Sequence, residues 1–193
     1  MQRIADFIAG MNGKAKRRLW QRHFDALPSG TIENWEDLLG ILPDDAWNAL
    51  KATTLGQVNQ HDPIRAWPQV QDRFNEVRAF HYLQKIGCTE ITFAPTSMAM
   101  RGPDLVARRG SSKIACEVKT VHLKNGSAHV IRKLASRLLD AKAQASIVAA
   151  EEAYIYLVAN GVDMALMRAA IDVSTLAPCR LVVDCNDRID TLN

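Results

Sequence analysis

Apolar residues recur along this chain at helical spacing in some stretches and as short strand-like runs in others. Val70, Phe74, Val77 and Phe80 lie at helical intervals, with Gly87 as a stop, and predict an amphipathic helix over 70–87. The run TEITFA, Thr89 to Ala94, predicts a first strand. Two further apolar runs, LVA and IACEV, are joined by RRGSSK, whose Gly-Ser-Ser is a turn signal; together they predict a β-hairpin. A loop is expected over 122–127. A long helix is expected from Ala128 to Ala150, with Ile131, Leu134, Leu138 and Ala145 on one face. Ala153 to Val158 is nearly continuously apolar, as expected of a central strand covered on both sides, and Gly161 ends it. A helix over Asp163–Asp172 and a last strand over Arg180–Asp184 complete an α/β pattern ordered helix, three strands, helix, strand.

The first 69 residues read differently, as several short helices. One covers GKAKRRLWQRHFDAL, with Leu19, Phe24 and Leu27 partly periodic. A second covers TIENWEDLLGIL, with Thr31 as its expected N-cap. A third begins at Pro43, with Asp44 and Asp45 favourably placed near its positive end. His61-Asp62-Pro63 and Trp67-Pro68 punctuate the link to the amphipathic helix at Val70. All four tryptophans (Trp20, Trp35, Trp47, Trp67) fall in this stretch. They are read as core or interface anchors rather than base-stacking platforms. The expected organisation is a helical extension over 1–69 and an α/β domain over 70–193.

Composition narrows the class. Of 193 residues, 48% are apolar and 23% charged, ordinary for a globular protein. No apolar run approaches the ~18 residues of a membrane span, and no signal peptide is expected. Cys88, Cys116, Cys179 and Cys185 lack metal-ligand spacing and read as buried, reduced thiols of a cytoplasmic protein. From Arg101 to Lys142 ten bases meet three acids; from Ala143 onward three bases meet seven acids. A basic stretch of that kind suits a polyanionic partner.

Two of those three acids, Asp104 and Glu117, lie on the hairpin. Side chains at i and i+2 of a strand share a face, so Glu117 and Lys119 point the same way, while Ile114, Cys116 and Val118 point into a core. Asp104 enters the neighbouring strand. Two carboxylates a few ångströms apart repel unless a divalent cation lies between them. Hard cations such as Mg²⁺ take oxygen ligands and keep several waters. Such an ion polarises a phosphoryl oxygen and acidifies a water, and a lysine beside it stabilises developing charge.

With Pro103-Asp104 followed by Glu117-Val118-Lys119, the chain resembles the PD-(D/E)xK phosphodiesterase superfamily from about Val70 to Asp184. The resemblance implies a restriction-endonuclease-like core, a mixed sheet flanked by helices in the order αβββαβ. It implies that Asp104 and Glu117 ligate Mg²⁺ or Mn²⁺, with the Val118 carbonyl as a further ligand, and that Lys119 is the catalytic lysine. The family often places an acid on the helix before the first core strand, which here is Glu76, expected to complete the catalytic site directly or through water; the alternative is a boundary glutamate paired with Arg73 or another nearby base. Arg101, Arg108, Arg109, Lys124, Arg132, Lys133 and Arg137 are the expected nucleic-acid contacts. Gln144 is followed four residues on by Val148, not tyrosine, so the family's exonuclease signature is absent. The implied activity is a DNA endonuclease leaving 5′-phosphates, with nucleic acid as partner, no membrane, and a homodimer as one route to cutting two strands. The alternatives are an RNA- or tRNA-cleaving nuclease or toxin of the same fold and a non-catalytic nucleic-acid-binding module. A third is an interaction domain in which Glu117 and Lys119 form a surface ion pair, worth only ~0–1 kcal/mol.

Overall fold

A computed structural model describes residues 2–59, 61–94, 102–122, 128–160, 164–185 and 188–192. The chain divides into two compact units, Met1–Arg78 and Ala79–Asn193.

The first unit is helical: α1 (Arg3–Ala9), α2 (Lys14–Asp25), α3 (Thr31–Gly40), α4 (Asp44–Val58) and the first part of α5 (Pro63–Lys85). Its core is aromatic. Phe7 meets Trp20 and Phe74 edge to face, with centroids 6.2 and 5.9 Å apart, and Trp20, Trp47, Phe24 and Phe74 are almost wholly buried. Glu36 accepts the backbone N–H groups of Arg3 (2.7 Å) and Ile4 (2.8 Å), satisfying two orphan donors at the start of α1. The Trp47 indole N–H donates to Asp6, so its polar edge is satisfied although the ring is buried.

Three expectations for this unit are corrected. The α1 helix was not anticipated. Thr31 is the first helical residue of α3 rather than its cap; Gly30 precedes it with φ 81°, a left-handed conformation that glycine adopts without penalty. The helix expected from residue 70 begins at Pro63 and runs through Pro68. Pro63 opens the helix, where a missing N–H costs nothing. Pro68, little more than a turn further in, removes only the bond that would run back to Ile64.

The second unit is a six-stranded mixed sheet flanked by helices, with strands in chain order: β1 (Thr89–Phe93), β2 (Leu105–Arg109), β3 (Ser112–His122), β4 (Glu152–Asn160), β5 (Arg180–Cys185) and β6 (Arg188–Leu192). The β1–β2, β2–β3 and β5–β6 pairs are antiparallel; β3–β4 and β4–β5 are parallel. Parallel neighbours need a crossover. These are supplied by α6 (Ala128–Ala145), and by α7 (Met164–Ala170) with a 3-10 turn, Val173–Leu176. The expected helix over 128–150 stops at Ala145, the strand at 153–158 lengthens to Glu152–Asn160, and β6 is additional. Of the expected loop, His122 ends β3, and 123–127 lie outside the described residues.

Both faces of the sheet are covered. Val121, Ile155, Leu157, Leu181 and Val183 pack with Leu134, Leu138, Ala141 and Ala145 of α6. On the other face Tyr82, from the end of α5, meets Tyr154 and Tyr156 at 6.2 and 5.6 Å, and Phe80 stacks on Phe93. Leu157 is fully buried at the centre of the sheet. Leu157→Ala is expected to cost about 2–5 kcal/mol, read as a lowered urea midpoint of the second unit's transition.

Candidate functional site

The β2–β3 hairpin turns on two residues, because Arg109 pairs directly with Ser112. Gly110 takes the first central position with φ 60°, as a glycine-first two-residue hairpin requires. That turn sets the register: Leu105 pairs with Cys116, and the same register carried one step further sets Asp104 opposite Glu117. A slip of one residue would send Glu117 and Lys119 to the other face. Pro103, buried just before the strand, brings no N–H that the ladder would have to satisfy.

Three of the expected site residues meet here. Asp104 accepts the backbone N–H of Val118 at 2.9 Å. The Lys119 ammonium donates to Glu117 Oε1 at 2.5 Å and to Gln144 Oε1 at 2.8 Å. Glu117 is only 2% exposed, because α6 covers the face that sequence alone suggested would meet water. Its second oxygen, Oε2, is buried without a hydrogen-bond donor among the described residues. Buried carboxylates in that state are costly.

The electrostatics follow from this packing. Burial pushes the Glu117 carboxyl up to about 8, the nearby negative charge of Asp104 adds to the rise, and Lys119 opposes it. Glu117 therefore keeps a proton at neutral pH unless a second positive charge joins Lys119. No group of three or more His, Cys, Asp or Glu side chains gathers in metal-holding geometry among the described residues. The donor set is two carboxylates, which fits Mg²⁺, an ion commonly held by one or two carboxylates together with waters and substrate phosphates. The Val118 carbonyl fits as well. In a strand one residue offers N–H and C=O to the same side, and the Val118 N–H already points at Asp104, beyond the start of β2.

The remaining expected residues have the following surroundings. Glu76 belongs to the first unit, is 4% exposed, and receives Arg73 at 2.7 Å on Oε1. Arg108 and Arg109 stand at the turn end of the hairpin, about 13–17 Å along the strand from Asp104 at ~3.3 Å per residue. There Arg108 pairs with Glu90 at 3.2 Å, and Arg109 pairs with Glu152. Arg137, exposed on α6, donates to the Thr120 carbonyl at 3.2 Å, one residue beyond Lys119. Arg101 and Lys124 lie outside the described residues, as do the side chains of Arg132 and Lys133.

Gln144, which the sequence offered only as half of an absent exonuclease signature, is the additional residue at the site. Its signal was an amide beside Ala141 and Ala145 on the buried stripe of α6, where an unpaired polar group would be costly. Comparison with protein-family models, curated proteins and solved structures returns no match. Among the described residues no helix is long and apolar enough to cross a membrane.

The raised Glu117 pKa has a sign that can be tested. In the metal-free chain Glu117 holds its proton up to about pH 8 when folded and loses it near 4.5 when unfolded. Between those values the folded state binds more protons, so stability falls as pH rises across that window and levels off above it. The contribution is fully present below the ordinary carboxylate value and lost as pH passes the folded one. The urea midpoint should decline with pH over this interval, and Glu117→Gln should flatten the decline; a midpoint that rises there in the parent protein contradicts the assignment.

Proposed function

We propose that the protein is a metal-dependent nuclease that hydrolyses phosphodiester bonds, and more specifically a DNA endonuclease of the PD-(D/E)xK kind. The observation that carries this reading is the buried Glu117 carboxylate. It lies beside Asp104, whose charge and side-chain hydrogen bond both raise its pKa, and it has one oxygen on Lys119. A stabilising role does not account for it, since removing charge from such a site is often neutral or favourable. A buried Glu117 carboxyl with a raised pKa, set beside a second carboxylate and a lysine, is the kind of perturbed cluster that marks a functional site. The order of helix, three strands, helix and strand around the hairpin supports the restriction-endonuclease-like core as the finer reading of the mixed sheet.

Asp104, Glu117 and the Val118 carbonyl are the ligands for Mg²⁺ or Mn²⁺. When bound, the ion supplies Lewis-acid polarisation of a phosphoryl oxygen and acidifies a water. The chain's own residues do the rest. Asp104 is oriented by the Val118 N–H. Lys119 presents an ammonium at a fixed position, because Glu117 and Gln144 grip it from two sides. Held there, it orients the attacking water and stabilises negative charge as it develops on the phosphate, without reorganising. Arg137, reaching the same strand one residue beyond Lys119, faces solvent and is placed to meet the substrate backbone.

Purified protein should cut plasmid DNA in the presence of Mg²⁺ or Mn²⁺, with single-stranded DNA and tRNA run alongside to establish the substrate class. Lys119→Ala and Asp104→Ala are each expected to lower the rate by at least ~10²-fold, the scale of losing one preorganised charge-stabilising group. Full metal-dependent activity in either variant, or equal cutting in chelator, would sink the assignment. Preferential cutting of tRNA would move the activity to RNA with the same site residues.

A further inference from the structure

The first unit holds ten bases and ten acids over residues 1–78. It has no net charge, yet half of its bases lie on one helix. Lys14, Lys16, Arg17, Arg18 and Arg22 are on α2, with Asp25 as that helix's only acid. Lys16 is turned inward, where its ammonium donates to the carbonyls of Val58 and Asn59. The other four are exposed. Lys14, Arg18 and Arg22 follow one another at i, i+4 and i+8, and Arg17 stands beside them. None of the four forms an ion pair among the described residues. Asp25 accepts from Gln21 at 2.8 Å instead.

This pattern is not the ordinary solvated helix face, which mixes signs so that neighbours at i+4 attract. Here the i+4 pairs Lys14–Arg18 and Arg18–Arg22 repel. Three of the cations also crowd the positive end of the helix dipole, against the favourable placement, and Gly13 supplies no side-chain cap. The arrangement weakens the helix on its own and is relieved by an external polyanion. The stripe from Lys14 to Arg22 is about 12 Å long at 1.5 Å per residue. Duplex DNA presents one charge per ~1.7 Å of its axis, so the stripe faces several phosphates at once. Three of the four cations are arginines, whose planar fork matches phosphate oxygens. An anionic membrane fits less well. The large apolar side chains of α2, Trp20 and Phe24, are fully buried in the unit's core, which leaves only Leu19, 44% exposed, to enter lipid.

We infer that the exposed face of α2, formed by Lys14, Arg17, Arg18 and Arg22, is a binding surface for the phosphate backbone of duplex DNA. The surface goes beyond the hairpin site, and it rests on the nuclease reading only for the choice of DNA among polyanions.

The test is equilibrium binding of the full chain, carrying Lys119→Ala to prevent cutting, to a labelled DNA duplex by fluorescence anisotropy across a salt series. The triple substitution Arg17→Gln, Arg18→Gln, Arg22→Gln should weaken binding at least tenfold. It should also make the plot of log affinity against log salt shallower by about 2–3, and Arg18→Gln alone by about 0.9, since each phosphate contact contributes ~0.9. A control removing equal charge from the second unit, at the exposed Lys85, Lys113 and Arg188, should leave the slope nearly unchanged. Matched unfolding midpoints establish that the variants fold. An unchanged slope in the triple variant, an equal change in the control, no duplex binding by the parent chain, or binding to phosphatidylserine vesicles in place of DNA would each overturn the inference. The nuclease reading is judged separately, by cleavage in the chain with Lys119 intact. Cutting with an unchanged slope defeats the α2 surface alone, and a changed slope without cutting defeats the nuclease alone.

Discussion

The two-residue turn at Gly110 pins the pairing of β2 with β3, and that pairing sets Asp104 across from Glu117 inside a sheet covered on both faces. Everything proposed about the site descends from this constraint. Because α6 closes over the strand, Glu117 is withdrawn from water. Because Asp104 stands beside it, the withdrawn group meets a second negative charge rather than relief. Lys119, itself held by Gln144, supplies a partial answer on one oxygen. The buried pair is the kind for which an apolar replacement is often neutral or stabilising.

Much of this was legible in the sequence, for identifiable reasons. The hairpin could be read because a Gly-Ser-Ser turn separates two apolar runs, and period-two alternation then places Glu117 and Lys119 on one face. The continuous apolar run at β4 signalled a strand covered on both sides, and Tyr156, Leu157 and Val158 are all buried. What alternation could not supply was depth. It separates one face of a strand from the other but does not say whether a helix covers the second, so the burial of Glu117 and its shifted pKa were out of reach. Gln144 was visible only as half of an absent signature and as a polar interruption of a helical stripe, and its bond to Lys119 is a tertiary contact spanning 25 positions. The strand β6 escaped because a short, largely exposed edge strand, RIDTL, has little apolar alternation to show. The entry into α5 escaped because proline near a helix start reads as punctuation although the first turn tolerates it.

Glu76 illustrates the limit of spacing arguments. Its position on the border of an apolar helix face suits both a site acid and a structural ion pair, and the Arg73 contact at 2.7 Å is compatible with either. The basic residues divide in a similar way. Arg108 and Arg109, prominent in the sequence because they flank the motif, are engaged by Glu90 and Glu152 at the far end of the hairpin. Lys14, Arg17, Arg18 and Arg22 of α2 lie far from the motif in sequence, yet they are exposed on one helix and form no ion pair among the described residues. Charge counted along a chain marks polyanion affinity only after the internal pairs have been subtracted.

The central claim is that the Asp104–Glu117 pair is built to hold a divalent cation, with the ion taking the place of a proton that Glu117 otherwise keeps at neutral pH. Calorimetric titration of the metal-free protein with Mg²⁺ or Mn²⁺ near pH 7, repeated in buffers of different ionisation enthalpy, measures that exchange directly. The account predicts saturable binding with release of about one proton per ion, and loss of both in Glu117→Gln. Saturable binding with no proton release, or binding unaffected by that substitution, would contradict it.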